Sequence, residues 1–150
     1  MQERFETFTV LINRISRDIR KIKNQEMADY HLRSVHVSCL YYIYSLGSVT
    51  SAELCEHCEE VKAYISRAVD YLEFNGFILR DTGAKRYKSP LRLTDKGRDA
   101  GKRIADKIGG ILETISHALT ENERIEFYRC LSTISRSLEA IVQNSEEKEM

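Results

Sequence analysis

The sequence predicts a mainly α fold carrying one small β-hairpin, and three observations predict it. Apolar residues recur at helical spacing near both ends of the chain, two short helix signatures closed by a glycine occupy the middle, and the segment after that glycine alternates around a turn-rich tip. At the N-terminal end, Phe5, Phe8, Ile12, Ile15, Ile19 and Ile22 step by 3, 4, 3, 4 and 3, which lines them along one stripe of a helix. Thr50 is followed three residues later by Glu53, a reciprocal cap that opens a short helix over about 51–58. A second amphipathic run places Ile65, Val69 and Leu72 on one face and Lys62, Tyr64, Ser66 and Arg67 largely on another. Asn75-Gly76 then ends it with a residue that tolerates positive φ. Residues 77–80 and 91–93 read as two strands around a tip containing Lys85, Arg86 and Lys88. Ile104, Ile108, Ile111, Ile115 and Ala118, and then Phe127, Leu131, Ile134, Leu138 and Ile141, step by 4, 3, 4 and 3, with a second cap at Thr120 and Glu123 marking the break between them. Gly109-Gly110 interrupts the first of these two helices and permits a bend or a close helix crossing. Cap, two short helices, glycine stop and basic hairpin, in that order, spell a winged helix-turn-helix flanked by N- and C-terminal helices.

A chain of 150 residues with 42% apolar content buries one core, so a single domain is expected. Its parts are a winged lobe over about 32–98, an arm from about 1–30 and 104–142, and a flexible Glu-rich tail over 143–150. The formal net charge of zero hides an uneven layout. Residues 62–103 hold 11 Lys+Arg against 5 Asp+Glu, whereas 104–150 hold 5 against 9, so the cationic segment coincides with the winged one. That is the footprint of phosphate contact. No apolar run reaches the roughly 18 residues of a membrane span and no signal-peptide core follows Met1, which points to a cytoplasmic protein with no membrane partner. Cys39, Cys55, Cys58 and Cys130 are then expected as reduced thiols. There is no G-x-G-x-x-G, P-loop or G-x-S-x-G sequence and no evident nucleophile paired with a histidine, so neither an enzyme nor a cofactor is expected.

The order of elements resembles the MarR family of transcription regulators over nearly the whole chain. The most specific parts are residues 52–55 and 65–73, Asn75-Gly76-Phe77-Ile78, and Leu93-Thr94-Asp95-Lys96-Gly97. The resemblance implies a homodimer on a pseudo-palindromic duplex DNA site, with the segment matching Lys62–Leu72 in the major groove and the wing tip along the backbone. The implied DNA contacts are Lys62, Ala63, Tyr64, Ser66, Arg67, Lys85, Arg86 and Lys88. The implied dimer interface draws on Phe5, Phe8, Ile12, Ile15, Ile111, Ile115, Phe127, Leu131, Ile134 and Leu138. It also implies a repressor responding to a small aromatic or phenolic effector, with Tyr30, His36, Tyr42 and Arg80 as candidate pocket residues. The chain departs from the family pattern in three places. Glu59 stands where the turn usually has glycine, Val61 where the recognition helix usually has a hydroxyl cap, and Ala84-Lys85-Arg86 where many relatives carry Asp-x-Arg.

Cys55-Glu56-His57-Cys58 has thiols at a spacing that can share a metal, yet in the family pattern Cys55 replaces a small alanine and Cys58 a leucine, which favours core packing. His31, His36 and Cys39 lie where some relatives hold zinc. Residues 95–109 lack the histidines that complete such a cage and His117 lies too far along, so no metal is expected. Residues 1–30 contain no cysteine, unlike peroxide-sensing relatives with a reactive thiol in the first helix. The alternatives are a winged-helix module for protein association, with Glu53, Glu56, Glu59 and Glu60 repelling DNA, and a thiol- or metal-responsive regulator of the same fold.

Overall fold

A computed structural model describes residues 2–81 and 88–150, with side chains from residue 6 onward. The elements are α1 (Gln2–Glu26), a 3-10 turn (Ala28–Tyr30), α2 (Ser34–Leu46), α3 (Ser51–Cys58), α4 (Lys62–Phe74), β1 (Ile78–Arg80), β2 (Leu91–Leu93), α5 (Asp95–Ala118) and α6 (Glu121–Glu149). They form two compact units, Met1–Asp106 and Lys107–Met150.

The first unit contains the buried core. Leu40 and Ile43 of α2, Leu54 of α3, and Ile65, Val69 and Leu72 of α4 are buried together with Phe77, Ile78, Leu91 and Ile104. Helix α3 begins as the sequence predicts, with the Glu53 amide donating to Thr50 Oγ1 and the Thr50 amide to Glu53 Oε2, each at 3.2 Å. It ends on Glu59 at φ 54°, where the Glu59 amide donates to Glu56 O and the Glu60 amide to Cys55 O. This is a Schellman closure made without glycine. Helix α4 closes the same way with its expected glycine, Gly76 at φ 78°, which lets the Phe77 amide reach Leu72 O at 2.9 Å.

Strands β1 and β2 pair antiparallel, Ile78 with Leu93, Leu79 with Arg92 and Arg80 with Leu91. Val49 adds a one-residue bridge to Leu91, so the base of the hairpin is tied to the segment before α3. Thr94 fastens the start of α5. Its hydroxyl donates to Gly76 O at 2.6 Å and accepts from the Gly97 amide at 3.0 Å, while its own amide donates to Phe77 O at 3.1 Å. Gly97 is required there because a Cβ would stand 1.9 Å from Phe77 O. Lys96 completes the fastening, donating to Asn75 O at 2.9 Å with its ammonium 4.3 Å above the Phe77 ring.

In the second unit, α6 starts at the expected cap, Thr120 and Glu123 exchanging hydrogen bonds of 3.2 Å. Helix α5 runs unbroken through Gly109 and Gly110, since backbone bonding continues through glycines that nothing crowds. Helix α6 also differs from the sequence reading, continuing to Glu149 where a flexible tail is expected over 143–150. Glutamate and lysine are good helix formers, and extending an existing helix avoids the cost of a new nucleus.

Candidate nucleic-acid interface

Helix α4 divides its residues cleanly. Ile65, Ala68, Val69 and Leu72 point into the core, which leaves Lys62, Ala63, Tyr64 and Arg67 exposed along the first two turns, with Ser66 half-buried at the edge. Val61 caps this helix without a side-chain acceptor, so its first amides are not covered by a cap side chain. The partial positive charge of the dipole at this helix start and the cations Lys62 and Arg67 close by make an anion-favouring end.

The acidic residues nearby are handled in two ways. Arg80 of β1 lies against α4, its Nε donating to Glu73 Oε2 at 3.1 Å and its guanidinium reaching Asp70 Oδ1 at 3.7 Å. It ties the hairpin to α4 and neutralises the two carboxylates on the same helix as Arg67. Glu56 at the end of α3 and Glu59 and Glu60 in the turn before α4 remain exposed. On the returning side of the hairpin, Lys88 is exposed before β2 and Arg92 of β2 pairs with Asp81. Lys85 and Arg86, the other two expected wing contacts, lie outside the described residues.

The four candidate effector residues are each held by a different partner. Tyr30 meets Phe77 edge-on at 6.2 Å and lies under the Arg103 guanidinium. His36 stacks on Tyr71 at 4.4 Å and accepts the Arg33 amide at Nδ1; burial first, and then the charge of Arg33, keep its pKa below the usual imidazole value. Tyr42 stacks on His57 at 4.9 Å, and Arg80 serves the carboxylates of α4. A cavity of about 270 Å³ is lined instead by Ile43, Tyr44, Gly47, Leu79, Arg92, Leu93 and Arg98. The sequence offered one signal for it: Arg92 lies between Leu91 and Leu93, and strand alternation sends it to the opposite face from the buried leucine.

Cys39 is fully buried in α2, whereas Cys55 and Cys58 of α3 are half-buried, at the margin of the core rather than inside it. A helix of eight residues buries fully only its central stripe, here Leu54 and the capping-turn Ser51. Among the described residues no group of three or more His, Cys, Asp and Glu side chains converges to hold a metal ion.

The long helices expose their apolar stripes. On α1, Ile12, Ile15 and Ile19 are exposed and Phe8 half-buried; the side chain of Phe5 lies outside the described residues. In the second unit Ile115, Phe127, Ile134 and Leu138 are exposed, and Ile111 and Leu131 half-buried. Among the described residues no helix is long and apolar enough to cross a membrane.

These features define a winged helix-turn-helix chain with apolar helical flanks. No family model and no curated protein matches the sequence. Solved structures do match. A MarR family regulator from Neisseria meningitidis superposes with a TM-score of 0.81 at 17% identity, over 95% of this chain and 98% of that one. MepR of S. aureus, solved in complex with DNA, gives 0.77 at 18% identity over 87% and 97%. The reduced form of MarR from E. coli gives 0.65 at 18% identity over 84% and 94%. The chain has the fold of the MarR family regulators.

Proposed function

We propose that the protein is a homodimeric transcription regulator that binds duplex DNA through α4. The observation that carries this reading is the exposed row Lys62, Ala63, Tyr64 and Arg67 at the start of a helix whose opposite face is buried in the core. Lysine supplies a mobile charge for phosphate and arginine a bidentate fork for guanine, so the row can both dock and read. Lys88 and, beyond the described residues, Lys85 and Arg86 would add backbone contacts from the wing. The MepR structure, solved with DNA, supports the same use of the fold.

Dimerisation is part of the proposal. Single exposed apolar residues are ordinary, but stripes at coiled-coil spacing on α1, α5 and α6 favour burial against a second copy. Two recognition helices about 34 Å apart would then enter successive major grooves. A dimer seated across a promoter would block transcription and so act as a repressor, and free thiols suit a cytoplasmic location. A small aromatic or phenolic effector would act through its preference for one separation of the recognition helices. The cavity beside Tyr44, with Arg92 and Arg98 at its walls, has the chemistry for such a ligand. Tyr30, His36, Tyr42 and Arg80 would have to exchange existing contacts to join it.

The test is selection of bound sequences from random duplex DNA, followed by titration at several salt concentrations. We expect a two-fold site and a logarithmic affinity that falls linearly with the logarithm of salt. Lys62→Glu combined with Arg67→Glu should lower affinity by at least about tenfold and flatten the salt slope by about one for each lost phosphate contact. Affinity indifferent to both salt and charge reversal would overturn the assignment of α4.

A further inference from the structure

Helix α4 carries acids on the same side as its proposed DNA contacts. Asp70 stands three positions after Arg67, so the two side chains are neighbours one turn apart on the face opposite Ile65, Val69 and Leu72. A carboxylate at that spacing is placed to pair with the guanidinium and to occupy the donors that guanine or phosphate needs. Yet Arg67 is exposed and makes no ion pair among the described residues.

Asp70 is engaged from the other side instead. Arg80 Nη2 lies 3.7 Å from Asp70 Oδ1, and Arg80 Nε donates to Glu73 Oε2 at 3.1 Å. The Arg80 side chain is 16% exposed, against 48% for Asp70 and 40% for Glu73. A guanidinium so sheltered and already facing two carboxylates is a poor docking group for phosphate, and its pairs are screened less by salt than exposed ones. The hairpin keeps it there. Strand alternation sends Arg80 to the same side as buried Ile78, while pairing with Leu91 and the Asp81 amide donating to Pro90 O at 3.0 Å fix the end of β1.

On the reading of α4 as the DNA-contacting helix, we propose that Arg80 is a positioning residue: by holding Asp70, with Glu73 as its anchor, it keeps the Arg67 guanidinium open to the duplex. Arg80 itself touches neither base nor phosphate. Removing it leaves the two carboxylates without their shared cation, and Asp70 turns to the guanidinium one turn back on its own helix. The outward row of α4 therefore depends on a residue of the hairpin that never meets DNA.

The experiment measures affinity of the full-length protein for the duplex recovered by selection from random DNA, by fluorescence anisotropy, with a thermal melt of every variant. Arg80→Gln should weaken binding by about tenfold, and adding Asp70→Asn should restore it to within about threefold, although the tie from hairpin to Asp70 stays broken. In an Arg67→Gln background, Arg80→Gln should change affinity by less than about threefold, because the contact it protects is already gone. The salt slope of the Arg80→Gln, Asp70→Asn protein should equal that of the unmodified one, since no phosphate contact is lost. Should Arg80→Gln fail to fold, Arg80→Met keeps the length of the stem and carries the same cycle with the same expectations. Failure of Asp70→Asn to restore binding, or an equal loss with and without Arg67, overturns the positioning role. A salt slope flatter by about one in the Arg80→Gln, Asp70→Asn protein marks a direct phosphate contact and overturns it as well. DNA binding by the unmodified protein and its weakening by Arg67→Gln are read first. If either is missing, the assignment of α4 fails and this role fails with it; once both hold, the Arg80 outcomes decide the positioning alone.

Discussion

Replacing Gly97 with alanine should cost about 3 kcal/mol, although alanine is the better helix former. The added Cβ would lie 1.9 Å from Phe77 O, 2.9 Å from its carbonyl carbon and 3.2 Å from Leu93 Cδ2. Ordinary contact begins near 3.4 Å, so relief needs a shift of about 1.5 Å between the first turn of α5 and the chain leaving α4. Backbone forms the near wall, and no rotamer change can yield. A shift of that size strains the fastening around Thr94: its bonds to Gly76 O, Phe77 O and the Gly97 amide, and the Lys96 bond to Asn75 O. Losing three of these at about 1 kcal/mol each, with overpacking of 1–3 kcal/mol, outweighs the roughly 1 kcal/mol of helix propensity gained and leaves a net loss of about 3 kcal/mol or more. For a chain of this length that lowers Tm by roughly 6–12 °C. Gly109→Ala is the matched control. No atom lies within 4 Å of the Cβ it would add, so the propensity gain stands alone and the variant should be about 1 kcal/mol more stable. Urea denaturation and thermal melts at equal protein concentration measure both. A Gly97→Ala loss below about 1 kcal/mol would refute the close approach of α5 to Phe77.

Two further predictions concern the turn before α4 and the start of α2. Glu59→Gly places glycine at a φ of 54°, which should stabilise the chain by about 0.5–1 kcal/mol after the unfolded-state entropy of glycine is subtracted, and removing a carboxylate near the proposed DNA face should raise affinity; denaturation midpoints and DNA titration check it, and a destabilised variant contradicts the strain. His36 accepts the Arg33 amide only in its neutral form, and its lowered pKa, due first to burial and then to the Arg33 charge, means the unfolded chain binds the proton more readily. Its contribution to stability is full above the ordinary value of 6.5 and is lost as pH falls through the lower folded value, so denaturation midpoints should drop as pH is lowered below 6.5, and the drop should shrink in His36→Gln.

Short-range chemistry was the readable part of the chain. Both threonine–glutamate caps and the glycine that closes α4 depend on residues within a few positions of one another, so spacing alone located them, while the two strands were marked by alternation on either side of a turn-rich tip. The same holds for the outward row on α4: once Ile65, Val69 and Leu72 are assigned inward, Lys62, Tyr64 and Arg67 must face away. Glu59 was legible as an anomaly, a residue with a side chain in a turn that favours glycine, but its left-handed backbone appears only when α3 and α4 are placed.

Contacts between distant residues followed other rules. Tyr30, His36, Tyr42 and Arg80 look alike in sequence as aromatic and basic candidates near α2, yet packing gives them Phe77, Tyr71, His57 and the carboxylates of α4 as separate partners. The cavity takes Tyr44, Arg92 and Arg98 instead, which lie far apart along the chain and meet only because β2 returns beside α2. By itself, then, the sequence determined the capped starts of α3 and α6, the glycine end of α4, the hairpin and the exposed face of α4, because backbone bonding and helical period act over three or four residues. The tertiary structure alone decided which ring stacks on which, which arginine is spent on a carboxylate and which thiol is fully buried, because those outcomes depend on how helices pack in space.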